Sequence, residues 1–208
     1  MDLSKYIDDS IHYDNYRELV TTLFERGLST GPNQSEALLA YTRLNESRMN
    51  RLDKTVQLND KTIKTLNSLD GEKWIWLVIS EGWCGDAAQN LPVISKIAEQ
   101  SPNIELKIVF RDENLDLIDQ FLTNGGRSIP KLIAIRKEDL EVIGTWGPRP
   151  EPVQKLMLDF RANPGNKTNE DLKKDIHTWY AKDKSQTVQE ELIQLIEASK
   201  EASVGQEA

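Results

Sequence analysis

An α/β fold with helical extensions at both ends is predicted from the way hydrophobic spacing changes along the 208 residues. Before residue 70, apolar residues recur at three- and four-residue intervals, the helical period. Between 74 and 146, continuous or alternating apolar runs are interleaved with helical stretches, the pattern of strands joined by helices. After 163 the helical spacing returns.

Tyr13, Tyr16, Leu19, Val20, Leu23 and Phe24 form one apolar stripe and predict the first helix, which Gly31-Pro32-Asn33 ends. Ser35 can cap a second helix, with Leu38, Leu39, Tyr41, Leu44, Met49 and Leu52 as its inner stripe. A shorter helix is expected from 60 to about 69, with Ile63 and Leu66 inward. The run Trp74-Ile75-Trp76-Leu77-Val78-Ile79 predicts a strand covered on both faces. A helix follows over 86–100, then a strand over 104–110 and a helix over 115–122 that ends near Asn124-Gly125-Gly126. Strands are expected at 131–136 and 141–146, and a helix at 152–161. Beyond the turn cluster Asn163-Pro164-Gly165-Asn166, Thr168 can cap one helix, and Thr187 with Glu190 has capping-box spacing for another. Leu192, Ile193, Leu195 and Ile196 would be the inner stripe of that last helix, and 205–208 are expected to fray. The expected division is a helical extension over 1–59, an α/β unit over 60–162, and C-terminal helices over 163–208 packed on it.

Composition excludes several functions. With 34 acidic and 26 basic residues the net charge is −8, which argues against a dedicated nucleic-acid binder. The longest apolar run has the six residues 74–79, whereas a membrane-spanning helix needs about 20. Met1-Asp2-Leu3-Ser4-Lys5-Tyr6 does not read as a secretory leader, so a cytoplasmic location is expected. One cysteine, Cys84, allows no internal disulfide and no zinc site built from two cysteines of one chain. His12 and His177 complete a poor ligand set, so neither a metal nor a cofactor is expected, and both histidines read as structural.

The informative feature is a strand, then Trp83-Cys84-Gly85-Asp86-Ala87, then a helix. This places a cysteine at the first turn of a helix, where unpaired N–H groups and the positive end of the dipole favour a thiolate. Further on, Ser128-Ile129-Pro130 runs directly into a strand, a setting compatible with a cis peptide bond.

Together these elements resemble the thioredoxin superfamily over roughly 60–162: Trp83-Cys84-Gly85, Pro92 within the following helix, the Ile129-Pro130 pair and the terminal strand pair. More narrowly, the stretches 82–89, 111–114, 125–131 and 146–150 are similar to a bacterial thioredoxin-like family with a helical N-terminal extension. The resemblance implies a central four-stranded mixed sheet; the helical flanks read either as packing on that unit and capping its sheet in place of the usual first strand, or as a partner surface. A glutathione-transferase arrangement is disfavoured, because there the helices follow the domain, whereas here much of the helical mass precedes it.

The departures from the thioredoxin pattern are chemical. The resolving cysteine is replaced by Ala87, and the buried acid six residues before the first cysteine is replaced by Val78. The proline usual after the glycine is Asp86, whose carboxylate opposes a thiolate. A mixed disulfide formed at Cys84 would persist until another thiol arrived.

Cys84 is therefore the candidate catalytic residue, against the bland reading of a small buried side chain. Trp83, Gly85, Asp86, Ile129 and Pro130 are candidate substrate-binding residues, with Trp83 and Trp146 flanking the partner. Arg127 and Arg149 are candidates for carboxylate recognition, as in a glutathione-like thiol, against a reading as surface salt-bridge residues. Arg111 can pair with Asp112 and Glu113 or point to the groove, and Gln89 and Asn90 can hydrogen-bond a ligand. Two functions follow. One is a monothiol redox protein acting on a protein disulfide or a low-molecular-weight thiol. The other is a non-catalytic peptide- or protein-binding module using the same groove. A lone thiol also leaves open the bridging of two chains or a shared iron–sulfur cluster, which no other feature supports.

Overall fold

The computed structural model describes residues 2–69 and 71–204; the expectation that 205–208 fray lies outside them. The elements run α1 (Ser4–Asp8), α2 (Tyr13–Glu25), α3 (Glu36–Thr55), α4 (Asp60–Asn67), β1 (Trp74–Ser80), α5 (Gly85–Gln100), β2 (Ile104–Phe110), a 3-10 turn (Arg111–Glu113), α6 (Leu115–Ile118), β3 (Lys131–Arg136), β4 (Val142–Trp146), α7 (Glu151–Ala162), α8 (Asn169–Asp183) and α9 (Gln186–Val204).

Among the described residues the sheet has four strands in the order β2-β1-β3-β4. β1 pairs parallel to β2, with Trp74 opposite Ile104, and antiparallel to β3, with Ile79 opposite Lys131. β4 runs antiparallel to β3, with a register shift at Ala134/Ile135. All seven residues of β1 are buried, as a central strand covered on both faces requires. β2 alternates buried and half-buried positions over most of its length. Beyond β2, Ile11 forms a single antiparallel bridge with Ile108 through bonds of 2.9 and 2.8 Å, and α2 packs alongside.

The helices pack on this sheet and on one another. α5 contacts β2, α3, α4 and α9; α9 also covers β4, and α7 contacts α8. The Ser35 side chain accepts the Leu38 N–H and caps α3. Thr168 and Asp171 form a reciprocal capping box on α8. Thr187 and Glu190 do not form one. Lys184 in the left-handed conformation ends α8, and the Asp183 carboxylate accepts the Thr187 N–H at 3.2 Å, so an acid from the preceding helix caps α9.

The largest difference from expectation lies in α3. Its buried residues are Thr42, Asn45, Glu46 and Met49, not the apolar stripe. Of that stripe only Met49 is buried; Tyr41 and Leu44 are 43% and 59% exposed. Burying the polar set is tolerable because each member is hydrogen-bonded. Thr42 meets Ser29 at 2.7 Å, Asn45 donates to the Gly82 carbonyl at 3.1 Å, and Glu46 accepts from Arg17 and Thr21 at 2.8 and 2.7 Å. The helix at 115–122 is also shorter than expected, ending at Ile118, and the chain then turns through a Thr123–Gly126 bridge.

Candidate functional site

The site is built where β1 runs into α5. Buried Glu81 accepts hydrogen bonds from the Thr30 hydroxyl and the Asp112 N–H, and Thr30 in turn accepts the Gly82 N–H at 2.9 Å. This ties the turn to the loop before α3 and to the end of β2. Burial pushes the Glu81 carboxyl upward, against the hydrogen bonds from Thr30 and Asp112. Gly82 packs closely on α2: a Cβ there would lie 3.1 Å from the Val20 side chain, which would have to give by a few tenths of an ångström.

Cys84 is the N-cap residue of α5, and its sulfur accepts the Ala87 N–H at 3.4 Å. It is 7% exposed, and the thiol donates to the Ile129 carbonyl at 3.2 Å. The helix end does not produce the accessible thiolate anticipated above. Burial first, and the Asp86 carboxylate second, push the thiol up to about 12, against the opposing N–H groups and Arg149. At neutral pH the group is a protonated donor.

Several predicted residues gather around it. Asp86 accepts from Arg149 through Nε at 3.0 Å and through Nη2, forming an ion pair whose side chains are only 19% and 15% exposed. Burial raises the Asp86 carboxyl, against Arg149, Arg48 and His177. Arg149 follows the cis peptide bond between Gly147 and Pro148; a second cis bond joins Ile129 to Pro130, both of them buried. Gly147 is at φ +108°, and a Cβ there would collide with the Pro130 carbonyl oxygen, so the segment after β4 lies directly on the loop before β3. Trp83 is half-buried under the Arg111 guanidinium, 4.7 Å from its ring, and Arg111 is paired with Asp112 at 2.7 Å.

Two predicted residues lie outside this cluster. Arg127 makes a two-point pair with Asp119 at 2.6 and 2.7 Å and is exposed. Trp146, expected with Trp83 to flank the partner, donates its indole N–H to Glu191 of α9 at 2.6 Å. Strand alternation sends it toward the helix that covers β4.

A cavity of about 550 Å³ opens over the Trp83-Cys84-Gly85 turn, between α3 and α8. Its walls include Leu38, Tyr41 and Leu44 from α3, and Ile176 and Tyr180 from α8. Asp86 and Gln89 lie at its base. Asn90 is buried behind, donating to the Tyr180 hydroxyl at 3.2 Å and the Pro148 carbonyl at 3.4 Å, while its Oδ1 has no partner. Arg48 bridges the walls: Nη1 donates to Asn45 Oδ1 at 3.0 Å and approaches the Gly85 carbonyl at 3.5 Å, and Nη2 lies 3.3 Å from His177 Nε2. Burial, then Arg48 and Lys173, hold the His177 imidazole below its usual range, against Asp86.

Sequence reasoning placed His177 among structural residues and did not single out Arg48 or Tyr180. The detectable signal was the second, polar set on α3 at positions 42, 45 and 46, which shows that the helix has two candidate faces. Nothing local pairs α3 with α8. Among the described residues no group of three His, Cys, Asp or Glu could hold a metal ion, and no helix is long and apolar enough to cross a membrane.

A β2-β1-β3-β4 mixed sheet with a cysteine capping the helix after β1, beside a cis-proline before β3, defines a thioredoxin-like protein with a single buried thiol. A family model described as thioredoxin matches residues 31–173, and the chain belongs to that family. No curated protein matches the sequence. The fold is similar to that of a protein of unknown function from Pseudomonas aeruginosa, at 19% identity and a TM-score of 0.58, covering 91% of this chain and 99% of that one. It is also similar to an HIV epitope scaffold, at 19% identity and a TM-score of 0.55, covering 90% of this chain and 98% of that one.

Proposed function

We propose that this protein is a non-catalytic binding module of the thioredoxin fold, taking its ligand in the cavity between α3 and α8. One observation carries the reading: the lone thiol is buried and engaged as a hydrogen-bond donor to the Ile129 carbonyl. A nucleophilic cysteine needs a thiolate and a path to it. Here burial and the Asp86 carboxylate both oppose the thiolate. Ala87 and Val78 stand where a dithiol reductase has its second sulfur and its buried acid.

The test is Cys84 alkylation by iodoacetamide as a function of pH, with mass spectrometry after incubation with oxidised glutathione. The expected result is slow reaction in the folded protein, no midpoint below about 8.5, and no adduct. In guanidinium chloride the same cysteine should react as an ordinary thiol. A midpoint below about 7.5 with a quantitative adduct at Cys84 would refute this reading.

That outcome would establish the second reading, a monothiol redox protein. It is favoured by the Ala87 N–H aimed at the sulfur and by the adjacent Ile129-Pro130 loop. In it, the Cys84 thiolate attacks a disulfide, one thiolate leaves, and a further thiol releases the partner from the mixed disulfide.

A further inference from the structure

We propose that the cavity between α3 and α8 binds a small amphipathic carboxylate, with the apolar body on Leu38, Tyr41, Leu44 and Ile176 and the carboxylate on Arg48. The inference rests on the binding-module reading and names its ligand class.

The apolar half of the argument is the inverted face of α3. That helix buries Thr42, Asn45 and Glu46 and leaves Tyr41 and Leu44 largely exposed along the cavity. Apolar ligand surface removed from water there favours binding. A cavity of about 550 Å³ falls within the usual size of small-molecule sites.

The charged half is Arg48. It makes no ion pair among the described residues; burial first and Arg51 second act against its charge, and they outweigh the longer-range support of Asp86 and Tyr180. Its hydrogen-bond partners are neutral: Asn45 Oδ1, the Gly85 carbonyl and His177 Nε2. Its Nε has no hydrogen-bond partner among the described residues, so the side-on fork of Nε and Nη2 is occupied only by the imidazole. A carboxylate fits that fork with two parallel bonds. The acids nearby are already engaged, Asp86 by Arg149 and Glu170 by Lys173 at 2.7 Å. Lys174 at the rim makes no ion pair among the described residues. In a protein of net charge −8, this is a local excess of positive charge around apolar walls. One guanidinium among neutral partners suits a monoanion.

The experiment is calorimetric titration of the full chain with octanoate and, separately, octan-1-ol, with NMR of the two histidines. Octanoate should bind one to one and saturate below about 1 mM, and octanol should bind at least about tenfold more weakly. Arg48→Met should bring the two ligands to equal affinity. Leu44→Glu changes an exposed side chain and should weaken octanoate by at least about tenfold without unfolding the protein, which circular dichroism checks. Octanoate should raise the His177 midpoint by roughly one unit, because the new anion offsets Arg48 and Lys173. The ring signals of His12, which lies 3.2 Å from Lys107 and does not line this cavity, should be unchanged by octanoate at constant pH. Octanol binding as tightly as octanoate, an unaffected Leu44→Glu, or no saturation by about 1 mM would each overturn the proposal. Cys84 alkylation reports separately on the binding-module reading: a fast, low-midpoint thiol removes that reading whatever the octanoate result.

Discussion

Replacing Asp86 by Asn should lower the Cys84 midpoint while leaving the thiol buried. Asp86 lies on the first turn of α5, two residues from the sulfur-bearing residue, and is the second cause of the elevated thiol after burial. Two unit charges roughly 6 Å apart at an effective dielectric of about 20 interact by about 3 kcal/mol. At about 1.4 kcal/mol per unit, that is about two pKa units. The midpoint should therefore fall from about 12 toward about 10. It should not reach the ordinary thiol range near 8.5, because burial remains. Arg149→Met should act in the opposite direction, since it removes the cation and leaves the carboxylate facing the thiol. The assay is ultraviolet thiolate absorbance against pH, with Cys84→Ser as the blank. A shift of less than about half a unit in Asp86→Asn, or a downward shift in both variants, would refute the electrostatic account.

Two further outcomes concern stability. Gly147→Ala should cost at least about 3 kcal/mol in urea denaturation, because φ +108° is strained for an L-residue and the new Cβ would strike the Pro130 carbonyl; a loss under about 1 kcal/mol would show that the segment after β4 can move off the loop before β3. Glu46→Gln should destabilise by roughly 1.5–3 kcal/mol at neutral pH, because it removes a charged hydrogen-bonded partner of Arg17 while Asp53 and Asn50 still hold the guanidinium. Burial raises the Glu46 carboxyl, but the Arg17, Thr21 and Asn50 bonds prevail and hold it below its ordinary value. Its contribution is thus present above the unfolded value of about 4.3 and lost as pH falls through the folded one. Acid titration of stability should consequently be flatter in Glu46→Gln than in the wild type.

The sequence by itself determined the elements whose signals are local. The unbroken run at 74–79 pointed to the central strand, because six consecutive apolar residues, rich in aromatic and β-branched side chains and too few for a buried helix, suit a strand covered on both faces. Ser35 and Thr168 marked helix starts, because capping bonds span only three residues. The motif after β1 placed a cysteine at a helix N-terminus for the same reason. Where a local signal had a competitor, it failed: Thr187 was outdone by Asp183 from the preceding helix.

The tertiary structure decided which face of α3 is core, because the polar set finds its partners on α2, the loop at Ser29 and the Gly82 carbonyl, all distant in sequence. It turned Trp146 toward Glu191 and paired Arg127 with Asp119. It also joined Asp86 to Arg149, and Arg48 to His177, across elements no spacing rule connects. The state of Cys84 followed from the same cause. A helix end favours a thiolate by a local field, but desolvation by the surrounding fold disfavours it more strongly, and desolvation depends on neighbours that only folding supplies.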